Sequence, residues 1–283
     1  MSATIQKYMS FPKFASLILN ESLYFAKMSA FEDALEGGLT VNDFFKISNS
    51  PAIIDLAVNG LWAATNTRGE ERVNRIKDAE SAREEVSKRV FQTPFGIYPS
   101  DETESLFPVC KEWLYVSCWH ESDHECSAMW KLYGHENNSV CVFSTNEALE
   151  ESIINDGSCD RLEVHRVKYI SHIDESFSSS PLDPFISKSK PYSFERETRV
   201  VSWNSCVDIS KCSVNKESGR LFAVDLEKMI QKVVVSPSAD TWFKSVVEKL
   251  CEGAGINVDI EDSALRMQPI FDIYQAMGGY GRC

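Results

Sequence analysis

The stretch Lys190-Pro-Tyr-Ser-Phe-Glu-Arg-Glu-Thr-Arg-Val-Val-Ser-Trp203 contains the most chemically suggestive spacing in the chain. Its aromatic and β-branched residues favour an extended backbone and predict a β-strand. Residues two apart on a strand share a face, so Glu195, Glu197 and Arg199 are expected on the same side. Two carboxylates about 7 Å apart along that face can grip a ligand rich in hydroxyl groups. The alternative is a solvated strand face of alternating charges, which the pattern taken alone favours.

Composition sets the class of protein. The chain has 283 residues, of which 43% are hydrophobic and 25% charged, enough for one large domain or two small ones. No apolar run approaches the ~18 residues of a membrane helix. The first residues lack the layout of a signal peptide. Nine cysteines without framework spacing predict mostly buried free thiols in a reduced, cytoplasmic protein.

The formal net charge of -13 limits the partners of the chain. Broad electrostatic capture of nucleic acid needs a basic surface, so a general nucleic-acid coat protein is excluded. A nucleic-acid target that is reached through a small pocket remains open.

Short strands and helices alternate irregularly along the chain, which predicts an α+β domain with a mixed or antiparallel sheet. Strands are predicted at 5–9, 22–26, 113–119, 139–144, 164–170, 221–224, 232–235 and 256–260. Helices are predicted after Ser10, at 41–64 with a break at 48–51, and at 68–90, 128–134, 147–154 and 240–252. Residues 93–108 are predicted to be a loop. We expect one domain over 1–283 with a charged helical insertion around 41–108.

Several stretches, taken in order, resemble an uncharacterised bacterial domain family. Its signatures are Tyr-Lys-Tyr-Arg, then Leu-Tyr-Phe before Phe-Asn-Asp-Pro-Phe-Glu, Met-Trp-x-x-Tyr, and Trp/Tyr-x-x-Glu-x-Glu-x-Arg. The corresponding stretches here are Lys7-Tyr8, Leu23-Tyr24-Phe25, Phe31-Glu-Asp-Ala-Leu-Glu36, Ser117-Cys-Trp119, Met129-Trp130-Lys-Leu-Tyr133 and Tyr192-Ser-Phe-Glu-Arg-Glu-Thr-Arg199. The chain departs from the family at Met9, Glu32 and Ala34. The acids of the loop at 32–36 are otherwise typical of caps and turns.

That family is similar to the ADP-ribosyltransferase superfold, in which NAD lies in a cleft between two split sheets. The resemblance implies that Glu197 is the catalytic carboxylate and that Glu195 orients or deprotonates the acceptor. Arg199 would hold the carboxylates ionised or meet a phosphate group. The further residues expected to bind NAD are Lys7, Tyr8, Tyr24, Ser117, Trp130 and Tyr133. Each aromatic residue taken singly is more typical of core packing.

The function implied by the resemblance is NAD-dependent mono-ADP-ribosyl transfer by a cytoplasmic bacterial toxin or anti-phage defence effector. The acceptor would be a nucleic acid or a protein, and an antitoxin or regulatory protein is a possible partner. One alternative is a NAD glycohydrolase. Another is a non-catalytic interaction module that binds its partner through the charged helix at 68–90.

A third hypothesis is a metal- or cysteine-dependent hydrolase centred on residues 118–126. Four possible zinc ligands lie within nine residues, at Cys118, His120, His124 and Cys126. Their spacing is not a common zinc pattern, so ordinary loop residues and buried thiols are the favoured interpretation. A nucleophilic cysteine is also conceivable, since Cys118, Cys126 and Cys141 lie near His120 and His135 in sequence.

Overall fold

The computed structural model describes residues 3–48, 50–60, 67–134, 137–154, 160–178, 180–212 and 214–266. The helices in these ranges are α1 Phe11–Asn20, α2 Val41–Ile47, α3 Pro51–Asn59, α4 Gly69–Ser87, α5 Thr103–Trp113, α6 Ser127–Tyr133, α7 Asn146–Ser152, α8 Leu226–Met229 and α9 Phe243–Gly253. The strands are β1 Thr4–Ser10, β2 Ser22–Lys27, β3 Val90–Thr93, β4 Gly96–Pro99, β5 Leu114–Glu121, β6 Ser139–Thr145, β7 Asp160–Arg166, β8 Lys168–Ile170, β9 Ser187–Ser189, β10 Glu197–Asn204, β11 Gly219–Ala223, β12 Lys232–Val235 and β13 Asp259–Asp262.

Strand β5 is the branch point of the largest sheet. One of its edges pairs antiparallel with β10, which in turn pairs with β7. On the other edge, β2 pairs at Tyr115 and Val116 and continues to β11, whereas β1 pairs at His120 and Glu121 and continues to β6, β12 and β13. The sheet therefore forks beside residues 117–119.

The sheet is mixed, as the sequence predicts. Strands β12 and β13 run parallel, whereas the other pairs of this sheet are antiparallel. Strands β3 and β4 form a separate antiparallel hairpin, and β8 and β9 form a short parallel pair. With helices flanking the sheet, the α+β class is confirmed.

Two apolar cores lie on opposite faces of β5, because successive side chains of a strand alternate. Tyr115 and Trp119 join the core covered by α1 and α9. Leu114 and Val116 join the core covered by α5. Full burial of each large apolar side chain contributes about 1.5–3 kcal/mol.

Helix α1 forms where the sequence predicts it. Pro12 occupies the first turn, where its missing N–H costs nothing, and Phe14, Leu17 and Ile18 are buried. Glu21 ends the helix with a left-handed backbone (φ 47°). This reversal delivers the chain directly into β2. The predicted strands at 5–9, 22–26, 139–144 and 232–235 are likewise present, as β1, β2, β6 and β12.

The predicted loop at 93–108 is wrong. It contains most of hairpin β3–β4 and the first half of α5. Pro108 lies inside α5, where proline is ordinarily unfavourable. Burial of Leu106, Phe107 and Cys110 against the core overrides that local preference.

The segment 41–87 contains three helices. The predicted break at 48–51 separates α2 from α3, and residues 61–64 of that prediction lie outside the described residues. Helix α4 has no buried residue, as expected of a mostly exposed charged helix. No helix in the described ranges combines the length and apolar character needed to cross a membrane.

The stretch at 190–203 differs from its prediction. Lys190–Glu195 is a 3₁₀ helix, Arg196 has a left-handed backbone (φ 41°), and β10 begins only at Glu197. Pro191 favours a turn over a strand. Tyr192 and Phe194 stay largely exposed, so their strand propensity finds no sheet to pack against. The prediction that Glu195 shares a strand face with Glu197 is therefore wrong.

The prediction of mostly buried free thiols is confirmed in part among the described cysteines. Six described cysteines are free thiols, and Cys110, Cys141 and Cys251 among them are buried. Cys206 is instead disulfide-bonded, so the expectation of a reduced chain is wrong at this residue. It lies in an exposed turn after β10, where its spacing from other cysteines carried no framework signal.

Candidate functional site

Three carboxylates and two cations from four chain segments meet beneath the fork. Glu36 comes from the loop after β2, Lys188 from β9, Glu195 from the 3₁₀ helix, and Glu197 and Arg199 from β10. Each of the five is at most 8% exposed. We call these five residues the carboxylate cluster. Charges are rarely buried unless they are paired, and here each is paired.

Lys188 joins the three carboxylates. Its Nζ lies 2.6 Å from Glu195 Oε2, 3.2 Å from Glu36 Oε1 and 3.5 Å from Glu197 Oε2. An ammonium group has three donors, so each carboxylate can take one. Lys188 thus places the carboxyl groups of Glu195 and Glu197 side by side, although only Glu197 lies on the strand.

Arg199 fixes Glu197 from the other side. Its Nε donates to Glu197 Oε1 (2.6 Å) and its Nη2 to Glu197 Oε2 (3.1 Å), a bidentate arrangement. The same Nη2 donates to Glu36 Oε2 (2.7 Å), and Nη1 donates to the Phe185 carbonyl (3.0 Å). Phe31 covers the guanidinium at 5.6 Å. Arg199 therefore ties the loop after β2 to β10.

The two neighbouring glutamates have opposite pKa shifts. Burial raises the pKa of Glu195, and the hydrogen bond from Lys188 offsets only part of this effect. Burial also acts to raise the pKa of Glu197, but the charges of Arg199 and Lys188 outweigh it and lower that pKa to about 2. Such separation of two carboxyl groups is typical of sites that need one permanent anion and one proton acceptor.

The turn that carries Glu195 is hydrogen-bonded to residues of β5 and β8. His120 of β5 donates its Nδ1–H to the Glu195 carbonyl, since a carbonyl can only accept. The Glu121 amide donates to the Arg196 carbonyl (2.8 Å), and the Glu197 amide donates to the Tyr169 hydroxyl (2.8 Å). Burial lowers the pKa of His120, which keeps its ring neutral. These bonds hold Glu195 beside Glu197 despite the left-handed residue between them.

Lys7 and Ser117, both expected to bind NAD, meet at the fork. Lys7 Nζ donates to Ser117 Oγ (3.1 Å) and to the Cys118 carbonyl (2.8 Å), and lies over the Trp119 ring at 5.3 Å. Burial lowers the pKa of Lys7 to about 8. Strand alternation places Ser117 on the face opposite Cys118 and Arg199. The charge of Glu197, in the carboxylate cluster, nevertheless acts on Lys7.

The predicted aromatic residues divide into two groups. Tyr8 and Trp130 are buried, and their rings meet edge to face at 4.9 Å. The Tyr8 hydroxyl accepts from the Cys126 amide (2.8 Å) and donates to Gln6 Oε1 (2.6 Å), which makes Tyr8 part of the packing. Tyr133 is 46% exposed, and its hydroxyl lies 3.4 Å from Glu195 Oε1.

Tyr24 lies away from these residues. It is on β2, paired with Leu221 of β11, and its hydroxyl donates to the Ser218 carbonyl (3.0 Å). Among the described residues it makes no hydrogen bond to the carboxylate cluster. The structure therefore brings together Glu195, Glu197, Arg199 and Tyr133, joins Lys7 to Ser117 nearby, and leaves Tyr24 at the outer strands.

The alternative hypothesis of a metal or thiol centre at residues 118–126 finds no geometric support among the described residues. The described residues contain no group of three or more His, Cys, Asp or Glu side chains arranged to hold a metal ion. His124 Nδ1 meets the Asp123 carboxylate at 2.7 Å instead. Burial raises the pKa of the Cys118 and Cys141 thiols well above the usual value, which disfavours reactive thiolates. His135 lies outside the described residues.

Two members of the carboxylate cluster were missed from sequence. Glu36 belongs to a stretch that carries the family resemblance, but its place in an acidic loop suggested a cap. Lys188 had no local signal, because it lies in a three-residue strand next to an apolar turn. Its role depends on three partners, one of which is Glu36, which is distant in sequence.

Searches against protein-family models, curated proteins and solved structures found no match for this chain.

Proposed function

We propose that this chain is an NAD-dependent mono-ADP-ribosyltransferase whose reaction takes place at Glu195 and Glu197. The observation that carries the proposal is the adjacency of two buried carboxyl groups whose pKa values are shifted in opposite directions. A charged sheet face in water would leave both groups near their usual values. The resemblance in sequence, which singles out the same two glutamates, supports the proposal independently of these shifts.

Each carboxyl group has a role that suits its environment. Breaking the bond between nicotinamide and ribose C1′ builds positive charge on the ribose. Glu197, ionised at any physiological pH, stabilises that charge where it develops. Glu195, with its raised pKa, accepts the proton of the incoming nucleophile. Nicotinamide leaves with the bonding electron pair as the nucleophile forms the new bond to C1′.

The other charged residues keep this pair in place. Arg199 and Lys188 hold Glu197 ionised, and Lys188 also orients Glu195. Glu36 balances the two cations, so the five residues carry one net negative charge. A single surplus anion suits a reaction that develops positive charge.

We place NAD at the fork of the sheet. Lys7 supplies a cation there that is suited to the diphosphate, and Ser117 supplies a hydroxyl group. Strands β1 and β2 pair with different parts of β5 and leave two separate sheet edges at the fork. A long ligand can lie between these edges.

The biological role proposed with this activity is that of a toxin or anti-phage effector in the bacterial cytoplasm, with a possible antitoxin or regulatory partner. Expression of the wild-type chain should then arrest growth, and Glu197→Gln should relieve the arrest at equal protein level. Equal toxicity of both proteins would contradict catalysis at Glu197.

The direct test is incubation of the purified protein with labelled NAD, alone and with cell lysate separated into protein and nucleic-acid fractions. Wild type should release nicotinamide and label one fraction, and Glu197→Gln should be slower by about 100-fold or more. Glu163→Gln is the matched control, because it removes a half-exposed carboxylate on β7 that pairs with His165.

The outcomes separate the alternatives. Nicotinamide release without transfer would identify a glycohydrolase. Neither NAD binding nor turnover by the wild-type protein would overturn the proposal and favour an interaction module. Circular dichroism of Glu197→Gln would establish that a loss of activity does not come from unfolding.

A further inference from the structure

Two partly exposed tyrosines lie close to Glu195 or to its partner Lys188. The Tyr133 hydroxyl lies 3.4 Å from Glu195 Oε1. Lys188 Nζ, which donates to Glu195 Oε2, lies 4.8 Å from the centre of the Tyr192 ring. Tyr133 therefore lies next to the group to which we assign proton transfer from the acceptor, and Tyr192 lies next to the lysine that binds this group.

These rings face water although Glu195 does not. Tyr133 is 46% exposed, Tyr192 is 38% exposed, and the adjacent Phe194 is 50% exposed, whereas Glu195 is 6% exposed. Exposed aromatic side chains close to a buried charged group mark a surface suited to contact with a ligand. A planar ligand can stack on them while it presents one polar edge to Glu195.

The region around Tyr133, Tyr192 and Phe194 carries more positive charge than the chain as a whole. Arg196 and Lys131 are exposed, and neither forms an ion pair with another described residue. Neighbouring cations at Arg166, Lys168 and Lys190 are instead neutralised by acidic partners. On a chain with a net charge of -13, these two exposed cations, each two residues from an exposed aromatic ring in sequence, are the groups of this region that can meet an anion, and Arg196 also interacts with Asp123.

We propose that the acceptor is a base of single-stranded nucleic acid, stacked against Tyr133 and Tyr192, with its flanking phosphates near Arg196 and Lys131. This inference depends on the proposed function and names its acceptor. Stacking on aromatic rings together with nearby cations is the usual means of holding unpaired bases. The net charge of -13 excludes a long contact with the phosphate backbone, so recognition is confined to one or a few nucleotides.

A duplex is excluded by the depth of Glu195. A base inside a helical stack cannot bring its polar edge to a buried side chain unless it leaves the stack. In the transfer step, a ring or amino nitrogen of the unpaired base forms the bond to ribose C1′. The bond from C1′ to nicotinamide breaks, nicotinamide keeps the electron pair, and the proton of the base passes to Glu195.

The test supplies labelled NAD with three acceptors at equal concentration. These are a mixed-sequence single-stranded oligonucleotide, the same sequence as a blunt duplex, and lysate protein freed of nucleic acid. We expect label on the single strand and at most background on the duplex. Tyr192→Ala should reduce transfer to the single strand by about 5- to 150-fold, the usual cost of losing one stacked base. Trp242→Ala is the matched control, because Trp242 is 55% exposed and lies at the start of α9.

Two variants of Tyr133 separate the contribution of the ring from that of the hydroxyl group. Tyr133→Phe keeps the ring and removes the hydroxyl, so transfer to the single strand should fall less than in Tyr133→Ala, which removes both. Label on protein with none on the oligonucleotide would overturn this inference and leave the proposed function intact. Equal labelling of single strand and duplex, or full transfer by Tyr192→Ala, would also overturn it. Absence of nicotinamide release in every reaction would instead contradict the proposed function.

Discussion

Helix α4 and the carboxylate cluster both combine glutamates with arginines, yet their surroundings use the charges differently. In α4, Arg75 bonds Glu71 one turn away (2.9 Å), and no residue of the helix is buried. In the cluster, Arg199 is fully buried and bonds Glu36 across a separation of 163 residues. The first arrangement is local and hydrated, whereas the second brings distant parts of the chain together away from water.

The exposed pair in α4 and the buried carboxylate cluster differ in what they contribute to stability. An exposed pair contributes about 0–1 kcal/mol and can be changed freely. A buried ion network has a desolvation cost of several kcal/mol per ion, which well-packed apolar residues would avoid. Stability therefore gives little reason to keep five charges under the fork. The opposite pKa shifts of Glu195 and Glu197 supply a chemical reason.

The largest expected effect is that of Arg199→Met. Removing one partner leaves Glu197 and Glu36 buried without their guanidinium, so the free energy of unfolding should fall by about 3–5 kcal/mol. Arg72→Met, at an exposed arginine of α4, should change it by less than about 0.5 kcal/mol. Urea unfolding followed by circular dichroism measures both. Similar losses in the two variants would contradict the contrast.

The next effect is the pH dependence that Glu197 contributes. Its pKa is about 2 in the folded chain, below its ordinary value of 4.5, so the carboxylate stabilises the fold above pH 4.5 and loses that contribution as pH falls towards 2. A shift of this size corresponds to about 3 kcal/mol. Unfolding free energies of wild type and Glu197→Gln should therefore converge between pH 4.5 and 2. Parallel curves over this range would show that Glu197 titrates normally.

A smaller effect is expected from Glu36→Gln. The amide keeps the shape but weakens the bonds to Arg199 and Lys188, which should cost about 1–3 kcal/mol. Because these bonds tie down the loop after β2, limited proteolysis should cut within residues 28–40 sooner than in wild type. The exposed counterpart, Glu71→Gln, should leave both measurements unchanged. Unchanged protection in Glu36→Gln would mean that the loop is held by other contacts.

The smallest effect concerns Lys7 at the fork. Its pKa of about 8 lies below the ordinary 10.5, so the folded chain binds fewer protons than the unfolded chain between these values. Stability should therefore rise with pH across that window, by about 1 kcal/mol between pH 7 and 9. In Lys7→Met this rise should be absent. If wild type and variant show the same slope, the ammonium is better hydrated than its contacts indicate.

The sequence predicts local features of this fold better than it predicts the meeting of distant segments. Short runs of apolar and β-branched residues located β1, β2, β6 and β12, and the two-residue spacing drew attention to Glu195 and Glu197. The same spacing misplaced Glu195, because Pro191 and the left-handed Arg196 form a turn that strand propensity does not register. The site nevertheless forms, since Lys188 joins the two carboxylates from outside the strand.

The residues that could not be predicted are those whose role depends on long-range contacts. Lys188 carries no signal in the sequence, and only the position of β9 in the fold brings it to three carboxylates. Glu36 resembles a turn former in sequence, and only the fold pairs it with Arg199, which is distant along the chain. The fork beside residues 117–119 follows from the pairing of β1 and β2 with different parts of β5, which no local pattern encodes.

The central claim, that Glu197 acts as a permanent anion and Glu195 as a proton acceptor, is tested most directly by the pH dependence of NAD turnover. Single-turnover transfer of ADP-ribose should be measured for wild type, Glu195→Gln and Glu197→Gln from pH 4 to 9. We predict that wild-type transfer rises with pH through a pKa above the ordinary 4.5 of a glutamate, because Glu195 must be deprotonated to accept a proton. Glu195→Gln should lose this rise, and Glu197→Gln should release almost no nicotinamide at any pH. Nicotinamide release by Glu197→Gln at the wild-type rate, or none by wild type across the whole range, would contradict the account.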